Sequence, residues 1–331
     1  MGIVEKAFRG AVLAMDPWAW WRAGPSLGGA ASTLELAAGL VAGHGDPMSG
    51  TLYVVPTPIG RLDDLSPRAR EVLASVSVVA AEDTRVTRRL YQDLGLPVPR
   101  LLSNHDHNER ERADQVAQLL ADGTDVAVVS DAGTPLVSDP GYRAVVAAVA
   151  MGAPIVPLPG PCAVPTALSA SGLPTDRFVF LGFPPRKGVA TWLGARRSET
   201  ATLVFFESPH RLVATLRGVQ AAWGPRRVCV ARSLTKSFED FFRGTPGEVA
   251  DRLAAEIDVE GRLLGEFTVV VEGADADADA GERAQARELV RSLVAAGVGS
   301  GVVRDAVAGT FGLPRREVYQ WALAAGREEE G

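Results

Sequence analysis

The segment from Asp125 to Tyr142, DVAVVSDAGTPLVSDPGY, constrains the fold more than any other part of the chain. It begins with the apolar, β-branched run Val126–Val129 and continues into a loop in which residues 131–141 include two glycines, two prolines and two aspartates. A continuous apolar run is typical of a parallel strand buried on both faces, and loops at the carboxyl ends of such strands hold ligands in open α/β sheets. We therefore expect a strand, a binding loop and a helix start.

Short apolar runs and helix-like segments alternate from residue 51 onwards. In the first half, further strands are predicted at 51–55, 76–80 and 154–158. This alternation predicts a parallel or mixed sheet with helices on both faces. In the second half a short polar turn separates the predicted strands 227–231 and 237–243, so an antiparallel portion is expected there.

Composition shifts divide the chain into five parts. The predicted parts are an N-terminal extension (1–49), an N-terminal α/β domain (50–162), a C-terminal α/β domain (163–273), a polar linker (274–281) and a small helical domain (282–328). The extension contains Trp18, Trp20 and Trp21 and no clear strand, and Met48 lies just before the first good strand. It is interpreted either as a disordered or mis-started segment, with Met48 as the true start, or as an amphipathic docking helix.

Charge and cysteine content exclude several classes of protein. A net charge of −6 argues against a general nucleic-acid coat protein, whose surface is basic. This net charge does not exclude one local basic face. Cys162 and Cys229 are too few and too far apart for a disulfide framework, which favours a reducing cytosol. No apolar run reaches the roughly 18 residues of a membrane span. His105 and His107 lack partner ligands nearby, so no metal site is expected.

Two loops carry candidate chemistry, each with a simpler structural interpretation. Asp131 is placed to bind a ribose or an amino group, or to form an Asx turn, and Gly133 allows close approach of a ligand to the backbone. Asp139 is predicted to be the N-cap of the following helix. The segment from Glu82 to Arg85 fits either a capped, solvated helix start or a general base beside a phosphate clamp.

Eight motifs in order resemble those of the ribosomal RNA small-subunit methyltransferase I family, which belongs to the tetrapyrrole-methylase-like enzymes. The resemblance covers residues 51–273 and is weaker beyond them. The motifs are VVPTPIG (54–60), AAEDTR (80–85), NHDHNE (104–109), VSDAGTPLVSDPGY (129–142), VPLPGPCA (156–163), ALSASGLPTDRF (167–178), FFESPHR (205–211) and LTK (234–236).

The resemblance implies a class III methyltransferase, with two α/β domains around a deep cleft that holds S-adenosylmethionine, plus the small C-terminal helical segment. The implied reaction is 2′-O-methylation of a cytidine ribose in the decoding region of small-subunit (16S) ribosomal RNA, by a cytoplasmic homodimer. Its partner is the ribosomal RNA or the assembled small subunit. Two alternatives are a methyltransferase of the same fold acting on a tetrapyrrole or a protein side chain, and a non-catalytic RNA- or cofactor-binding module.

The same resemblance assigns roles to residues that match the family's motifs. The predicted cofactor-binding residues are Ile59, Gly60, Asp131, Gly133, Thr134, Pro161, Cys162, Ala163, Phe206, Ala231, Gly265 and Glu266. The family pattern does not fix the general base. From the chemistry of their side chains, the candidates for catalysis are Glu82, Asp83, Glu207 and Lys236, with His105 as a rival base. The predicted RNA-binding residues, chosen as polar or basic contacts for the substrate, are Arg85, Arg88, Arg89, His105, His107, Arg186 and Lys187. Departures from the family pattern are Arg61, Pro209 and Ser233.

Overall fold

The computed structural model describes residues 49–105 and 108–329. The predictions for residues 1–48 and for His107 lie outside these described residues. Within the described part, two sheets of five strands each are followed by three helices at the C-terminal end.

The first sheet is entirely parallel, with the strand order β3-β2-β4-β1-β5. Its strands are β1 (Leu52–Val54), β2 (Val78–Ala81), β3 (Arg100–Ser103), β4 (Val126–Val129) and β5 (Ile155–Pro157). Every residue of β2 and β4 is buried, which is why both appear in the sequence as continuous apolar runs. The parallel strand predicted at Val126–Val129 is therefore confirmed and occupies the centre of the sheet.

Four helices cover the two faces of this sheet and enclose two apolar clusters. They are α1 (Pro67–Ser75), α2 (Thr84–Asp93), α3 (Glu109–Ala121) and α4 (Tyr142–Ala150). The Ser66 hydroxyl accepts a hydrogen bond from the Ala69 amide at 3.1 Å, and Pro67 occupies the first helical position. Serine at the N-cap and proline at the first helical position are both favoured at a helix start, which explains why α1 begins here.

The N-cap predicted for α4 is wrong. Helix α4 begins after Gly141, whose φ is 128° and which occupies the N-cap position, two residues beyond Asp139. The carboxylate of Glu109 instead accepts hydrogen bonds from the amides of Gly141 (2.9 Å) and Arg143 (3.1 Å). A negative group from the neighbouring helix α3 thus satisfies the exposed amides at the start of α4.

The second sheet is mixed and has the order β6-β7-β10-β8-β9. Its strands are β6 (Phe178–Phe180), β7 (Thr202–Glu207), β8 (Val228–Arg232), β9 (Asp240–Gly244) and β10 (Phe267–Val271). Strands β8 and β9 pair antiparallel, as predicted from the short polar turn between them. Its helices are α5 (Ala163–Ser171), α6 (Val189–Gly194), α7 (Pro209–Trp223) and α8 (Pro246–Ala255).

An apolar cluster joins the two halves of the chain. Helix α5 packs on the second sheet through Val164, Ala167 and Leu168. Ile59, from the loop after β1, is buried in the same cluster beside Leu234. Because Ile59 belongs to the first half and Leu234 to the second, the loops after β1 and β8 meet at a shared apolar seam.

The C-terminal helices are α9 (Ala276–Ala295), α10 (Ser300–Phe311) and α11 (Arg315–Glu329), and they enclose a separate apolar cluster. Helix α9 begins inside the segment 274–281 predicted as a linker, so that prediction is wrong from residue 276 onwards. The guanidinium of Arg283 donates to the Ser198 hydroxyl at 3.0 Å, which connects α9 to the second α/β half. The predicted fold class, two α/β units with C-terminal helices, is confirmed. Across the described ranges, none of the helices is both long and apolar enough to cross a membrane.

Candidate active site

A cavity of about 350 Å³, called here the large cavity, lies between the strand-end loops of the two sheets. The loop after β4 contributes residues 132–134 and 137–139 to one wall, and the segments after β7 and before β10 contribute 206–209 and 265–268 to the other. Carboxyl ends of parallel strands form one edge of a sheet, which explains why the β4 loop lies at this position. The loop predicted as a binding site therefore forms one wall of this cavity.

Gly133 keeps the floor of the large cavity open. Its φ is +90°, and a Cβ atom at this position would lie 3.2 Å from Cγ2 of Ile59. The Gly133 amide donates to the Thr57 carbonyl at 3.0 Å and the Thr57 amide donates back at 2.9 Å. This reciprocal pair fixes the β4 loop against the loop after β1, with the glycine backbone exposed to the cavity.

Eight of the predicted cofactor-binding residues line the large cavity: Ile59, Gly133, Thr134, Cys162, Ala163, Phe206, Gly265 and Glu266. Pro161 lies next to it, because its carbonyl accepts a hydrogen bond from the Thr134 hydroxyl at 2.9 Å. Gly60 and Asp131 line a different cavity, and Ala231 is buried within the second sheet. The structure thus brings most of the predicted set together.

Glu207 lines the large cavity, but its carboxylate is fully engaged in internal contacts. Its side chain has no solvent exposure. It accepts hydrogen bonds from the Ser208 amide at 2.8 Å and the Thr215 hydroxyl at 2.7 Å, and lies 3.3 Å from the Arg211 guanidinium. These contacts leave Glu207 as an internal support for the start of α7 and speak against a free carboxylate that takes up protons.

Lys236 lies at the seam between the two halves. Its ammonium is 2.6 Å from the carboxylate of Glu266, which lines the large cavity. Its Cγ approaches Gly60 so closely that a Cβ atom there would lie 2.7 Å away. The adjacent Thr235 hydroxyl accepts a hydrogen bond from the Arg61 amide at 3.1 Å. Lys236 therefore connects the rim of the large cavity with the loop after β1.

A second cavity, of about 210 Å³ and called here the small cavity, includes Gly60, Arg89 and Asp131 in its lining. Asp131 accepts a hydrogen bond from the Asp83 amide at 3.0 Å, and its own amide donates to the Glu82 carboxylate at 3.3 Å. Burial raises the pKa of Asp131. Because β2 and β4 are neighbours, these acidic residues tie two strand ends together on the far side of the β4 loop.

Asp83 is the N-cap of α2. Its carboxylate accepts a hydrogen bond from the Arg85 amide at 2.8 Å and a second from the Arg85 guanidinium at 3.0 Å. These bonds to the Arg85 side chain and backbone lower the pKa of Asp83 to about 2. The interpretation of this segment as a capped helix start is therefore supported by direct contacts.

The predicted RNA-binding residues that the structure describes occupy three segments of the chain. Arg85, Arg88 and Arg89 are exposed on α2, and Arg89 reaches the small cavity. Arg186 and Lys187 are exposed on the loop between β6 and α6, which reaches the large cavity through Phe183. His105 is exposed at the end of the β3 loop, where its amide donates to the Asn108 side chain at 2.8 Å.

Several lining residues of the large cavity were not anticipated from the sequence, among them Val137, Ser138, Phe183, Ser208 and Thr268. Ser138 has an unusual positive φ of 68°, which the serine itself does not signal. Phe183 lies in the sequence GFPPRKG, whose glycines and prolines indicate only a turn. Within residues 49–105 and 108–329 there is no group of three or more side chains suited to holding a metal ion.

Comparison with known proteins adds independent information. Residues 51–250 match the family described as Tetrapyrrole (Corrin/Porphyrin) Methylases. The chain is 52% identical over 275 residues to Ribosomal RNA small subunit methyltransferase I of Micromonospora olivasterospora, covering 82% of this chain and 86% of the relative. It is 46% identical over 248 residues to the protein of the same name from Pseudomonas aeruginosa, covering 74% of this chain and 86% of that relative.

Solved structures show the same fold at lower identity. The methyltransferase CobJ is 23% identical with a TM-score of 0.50, covering 68% of this chain and 95% of CobJ. Diphthine synthase is 14% identical with a TM-score of 0.50, covering 67% of this chain and 90% of the synthase. Together with the family match and the relatives above, these likenesses show that the chain belongs to the ribosomal RNA small subunit methyltransferase I family and carries the tetrapyrrole methylase fold.

Proposed function

We propose that this protein transfers the methyl group of S-adenosylmethionine to the 2′-oxygen of a cytidine ribose in the decoding region of small-subunit ribosomal RNA. The observation that carries this proposal is the 52% identity to a small-subunit ribosomal RNA methyltransferase over 82% of the chain. The large cavity between the two sheets supports it, because its volume of about 350 Å³ falls within the range of small-molecule sites.

The lining of the large cavity fits a cationic cofactor. The described lining residues include the carboxylates of Asp139, Glu207 and Glu266 and no arginine, lysine or histidine. Glu207 and Glu266 are already paired with Arg211 and Lys236, which offsets their charge, so the lining offers a cationic ligand carboxylate oxygens and no lining cation that would repel it. The glycine floor at Gly133 and the ring of Phe206 offer close backbone approach and an apolar wall. The predicted cofactor-binding residues remain our assignment for this site.

S-adenosylmethionine, when bound, supplies an electrophilic methyl group. The protein has to place the ribose hydroxyl in line with that methyl group and to provide a route for the hydroxyl proton. Among the four candidate side chains, Glu207 is enclosed by its own contacts and Asp83 caps a helix. Glu82 accepts a hydrogen bond from the amide of Asp131, which lines the small cavity and not the large one. We therefore assign the contact with the acceptor ribose to Lys236, which lies where the large cavity meets the loop after β1.

Replacing Lys236 with alanine is expected to lower kcat/KM for RNA by about 100-fold, because the acceptor ribose loses a positioning contact. The dissociation constant for S-adenosylmethionine, measured by calorimetry, is expected to stay within about twofold, since Lys236 does not line the large cavity. Lys236→Arg, which keeps the charge, serves as the matched variant and should retain part of the activity. A parallel loss of cofactor affinity in Lys236→Ala would instead assign Lys236 to the cofactor site.

Replacing Asp83 with alanine is expected to leave methyl transfer nearly unchanged and to lower stability at neutral pH. The pKa of about 2 in the folded protein lies below that of an unfolded aspartate, about 3.9, so the carboxylate stabilises the fold above about pH 4. That contribution is lost as the pH falls towards about 2. The stability gap between wild type and Asp83→Ala, measured by urea titration, should therefore narrow over this interval.

The control for this variant is Asp93→Ala at the opposite end of α2, where a negative charge does not favour the helix dipole. It should cost less stability than Asp83→Ala. If Asp83→Ala lost methyl transfer while keeping wild-type stability, Asp83 would return to the list of catalytic groups.

The direct test of the function compares three acceptors with labelled S-adenosylmethionine. They are purified small subunits that lack the modification, naked small-subunit RNA, and uroporphyrinogen. We expect label in the 2′-O-methyl group of one cytidine, in the subunit or in the RNA, and the comparison identifies which of the two is the substrate. Label on uroporphyrinogen would favour the tetrapyrrole alternative, and no label on any acceptor would favour a binding module.

We further propose that the two α/β domains comprise residues 50–162 and 163–273 and that the protein is cytoplasmic. We also propose that it acts as a homodimer. An apolar stripe on α4 supports self-association, since Tyr142, Val146 and Val149 are 67%, 46% and 65% exposed. Exposed apolar residues at this helical spacing are typical of an interface. Light scattering coupled to size-exclusion chromatography gives the mass in solution that decides this point.

A further inference from the structure

Phe183 presents an exposed aromatic ring at the mouth of the large cavity. The residue is 56% exposed although it belongs to the cavity lining. Its ring centroid lies 5.4 Å from that of Phe206, which in turn lies 5.0 Å from Phe180. Phe206 thus supports the ring from inside, while more than half of Phe183 remains open to a partner from solvent.

The loop that carries Phe183 is held in place from both ends. Gly182 and Gly188 have φ values of 63° and 74°, which favour glycine. Pro184 is buried, and its carbonyl and that of Pro185 each accept a hydrogen bond of 3.0 Å from the Arg211 guanidinium. The ring is therefore positioned before any ligand binds, so little conformational entropy is lost when one does.

The residues that follow indicate the chemistry of the partner. Arg186 and Lys187 are exposed on the same loop, three and four positions after the ring. An open aromatic face beside cationic side chains is the combination that binds single-stranded nucleic acid, through base stacking and phosphate contacts. Ser138 lies close to this loop, because a Cβ atom on Gly182 would be 3.4 Å from its hydroxyl. Since Phe183 lines the large cavity, a base stacked on its ring has its ribose next to that cavity.

We propose that Phe183 stacks on the base of the nucleotide whose ribose is methylated, and that Arg186 and Lys187 bind the adjoining phosphates. This inference rests on the proposed function, since it assumes an RNA acceptor at the large cavity. It identifies a residue that positions the substrate. Arg211 acts through the loop, because it holds Pro184 and Pro185 without reaching the mouth itself.

The test measures two affinities in the same variants. Binding of a fluorescein-labelled single-stranded oligoribonucleotide with the decoding-region sequence is followed by anisotropy, and binding of S-adenosylmethionine is followed by calorimetry. Phe183→Ala is expected to raise the RNA dissociation constant by about 10-fold, as loss of one stacked base does, and to leave the cofactor constant within about twofold. Phe183→Trp should restore RNA binding.

Salt dependence separates stacking from phosphate contacts. Phe183→Ala should weaken RNA binding at every salt concentration. It should leave unchanged the slope of the logarithm of the RNA association constant against the logarithm of the salt concentration, because no phosphate contact is lost. The double variant Arg186→Ala with Lys187→Ala should reduce that slope by about 1.4, which corresponds to two phosphates on a single strand.

The matched control for Phe183→Ala is Phe178→Ala, since Phe178 is 47% exposed but does not line the large cavity.

Weaker cofactor binding with unchanged RNA binding in Phe183→Ala would overturn the inference and assign the ring to the cofactor. So would a Phe178→Ala variant as defective as Phe183→Ala. Failure of the proposed function has a different signature, namely a wild-type protein that methylates no RNA. If the wild type methylates RNA and Phe183→Ala matches it in affinity and in kcat/KM, the inference alone is wrong.

Discussion

Replacing Gly133 with valine is expected to abolish binding of S-adenosylmethionine while the protein remains folded. Valine at a φ of +90° is strained, and even its Cβ atom would lie 3.2 Å from Cγ2 of Ile59. The two γ-methyl groups beyond it occupy space on the floor of the large cavity. Since this cavity is only about 350 Å³, a loss of that space excludes a ligand that fills it.

The binding measurement is calorimetry with S-adenosylmethionine, and the folding measurement is the cooperativity of thermal unfolding. Gly95→Val is the matched control, because Gly95 also has a positive φ, +67°, and a Cβ atom there meets nothing within 4 Å. It should cost similar backbone strain without loss of cofactor affinity. Gly133→Ala should fall between, since Ile59 has to move by only a few tenths of an ångström. Wild-type cofactor affinity in Gly133→Val would remove the β4 loop from the cofactor site.

The part of the fold that could be predicted is the part whose burial appears directly in the sequence. Strands β2 and β4 are buried along their whole length and so appear as unbroken apolar runs. Strand β3 is at the edge of the sheet, and only Leu102 of its four residues is buried. Its sequence, RLLS, therefore has no clear strand pattern, and no strand is predicted there.

The linker predicted at 274–281 is helical from residue 276 onwards, because the alanines of this polar segment favour a helix. The run ADADADA was interpreted as a polar, low-complexity segment, yet alanine has the highest intrinsic helix propensity. Helix α9 starts at Ala276 within this run and continues to Ala295. The three C-terminal helices share one apolar cluster, so tertiary packing of α9 favours extending the helix into it.

The position of the candidate site could be predicted because loops at neighbouring strand ends converge at one edge of the sheet, and this does not depend on the contacts of individual side chains. The roles of individual carboxylates could not, because they depend on contacts distant in sequence. Glu109, 32 residues before Gly141, accepts the amides at the start of α4, while the N-cap position itself falls on Gly141 and not on Asp139. Glu207 appears in the sequence as part of an ordinary charged turn, FESPHR, and only the structure shows that its side chain is completely buried.

The burial of Glu207 leads to the largest stability effect that we expect. Glu207→Ala removes the acceptor of the Thr215 hydroxyl and the Ser208 amide and leaves Arg211 without its carboxylate. The buried Thr215 hydroxyl is then left without its acceptor, which costs about 1–3 kcal/mol, whereas Arg211 is partly exposed and keeps its hydrogen bonds to the Pro184 and Pro185 carbonyls. Urea unfolding should therefore show a loss of this size for the transition of the second α/β unit.

Glu207→Gln separates the contribution of the Glu207 charge to stability from that of its hydrogen bonds. Glutamine keeps the volume and one oxygen acceptor, so it should cost less than alanine while still weakening the hold of Arg211 on the Phe183 loop. Glu288→Ala is the surface control, since Glu288 is 71% exposed and pairs with Arg291 at 3.3 Å, and it should change stability by no more than about 0.5 kcal/mol. A Glu207→Ala variant as stable as Glu288→Ala would contradict a structural role for this carboxylate. A Glu207→Ala variant that kept its stability and its cofactor binding but lost methyl transfer would assign Glu207 as the general base. The reason is that removal of a purely structural residue lowers stability.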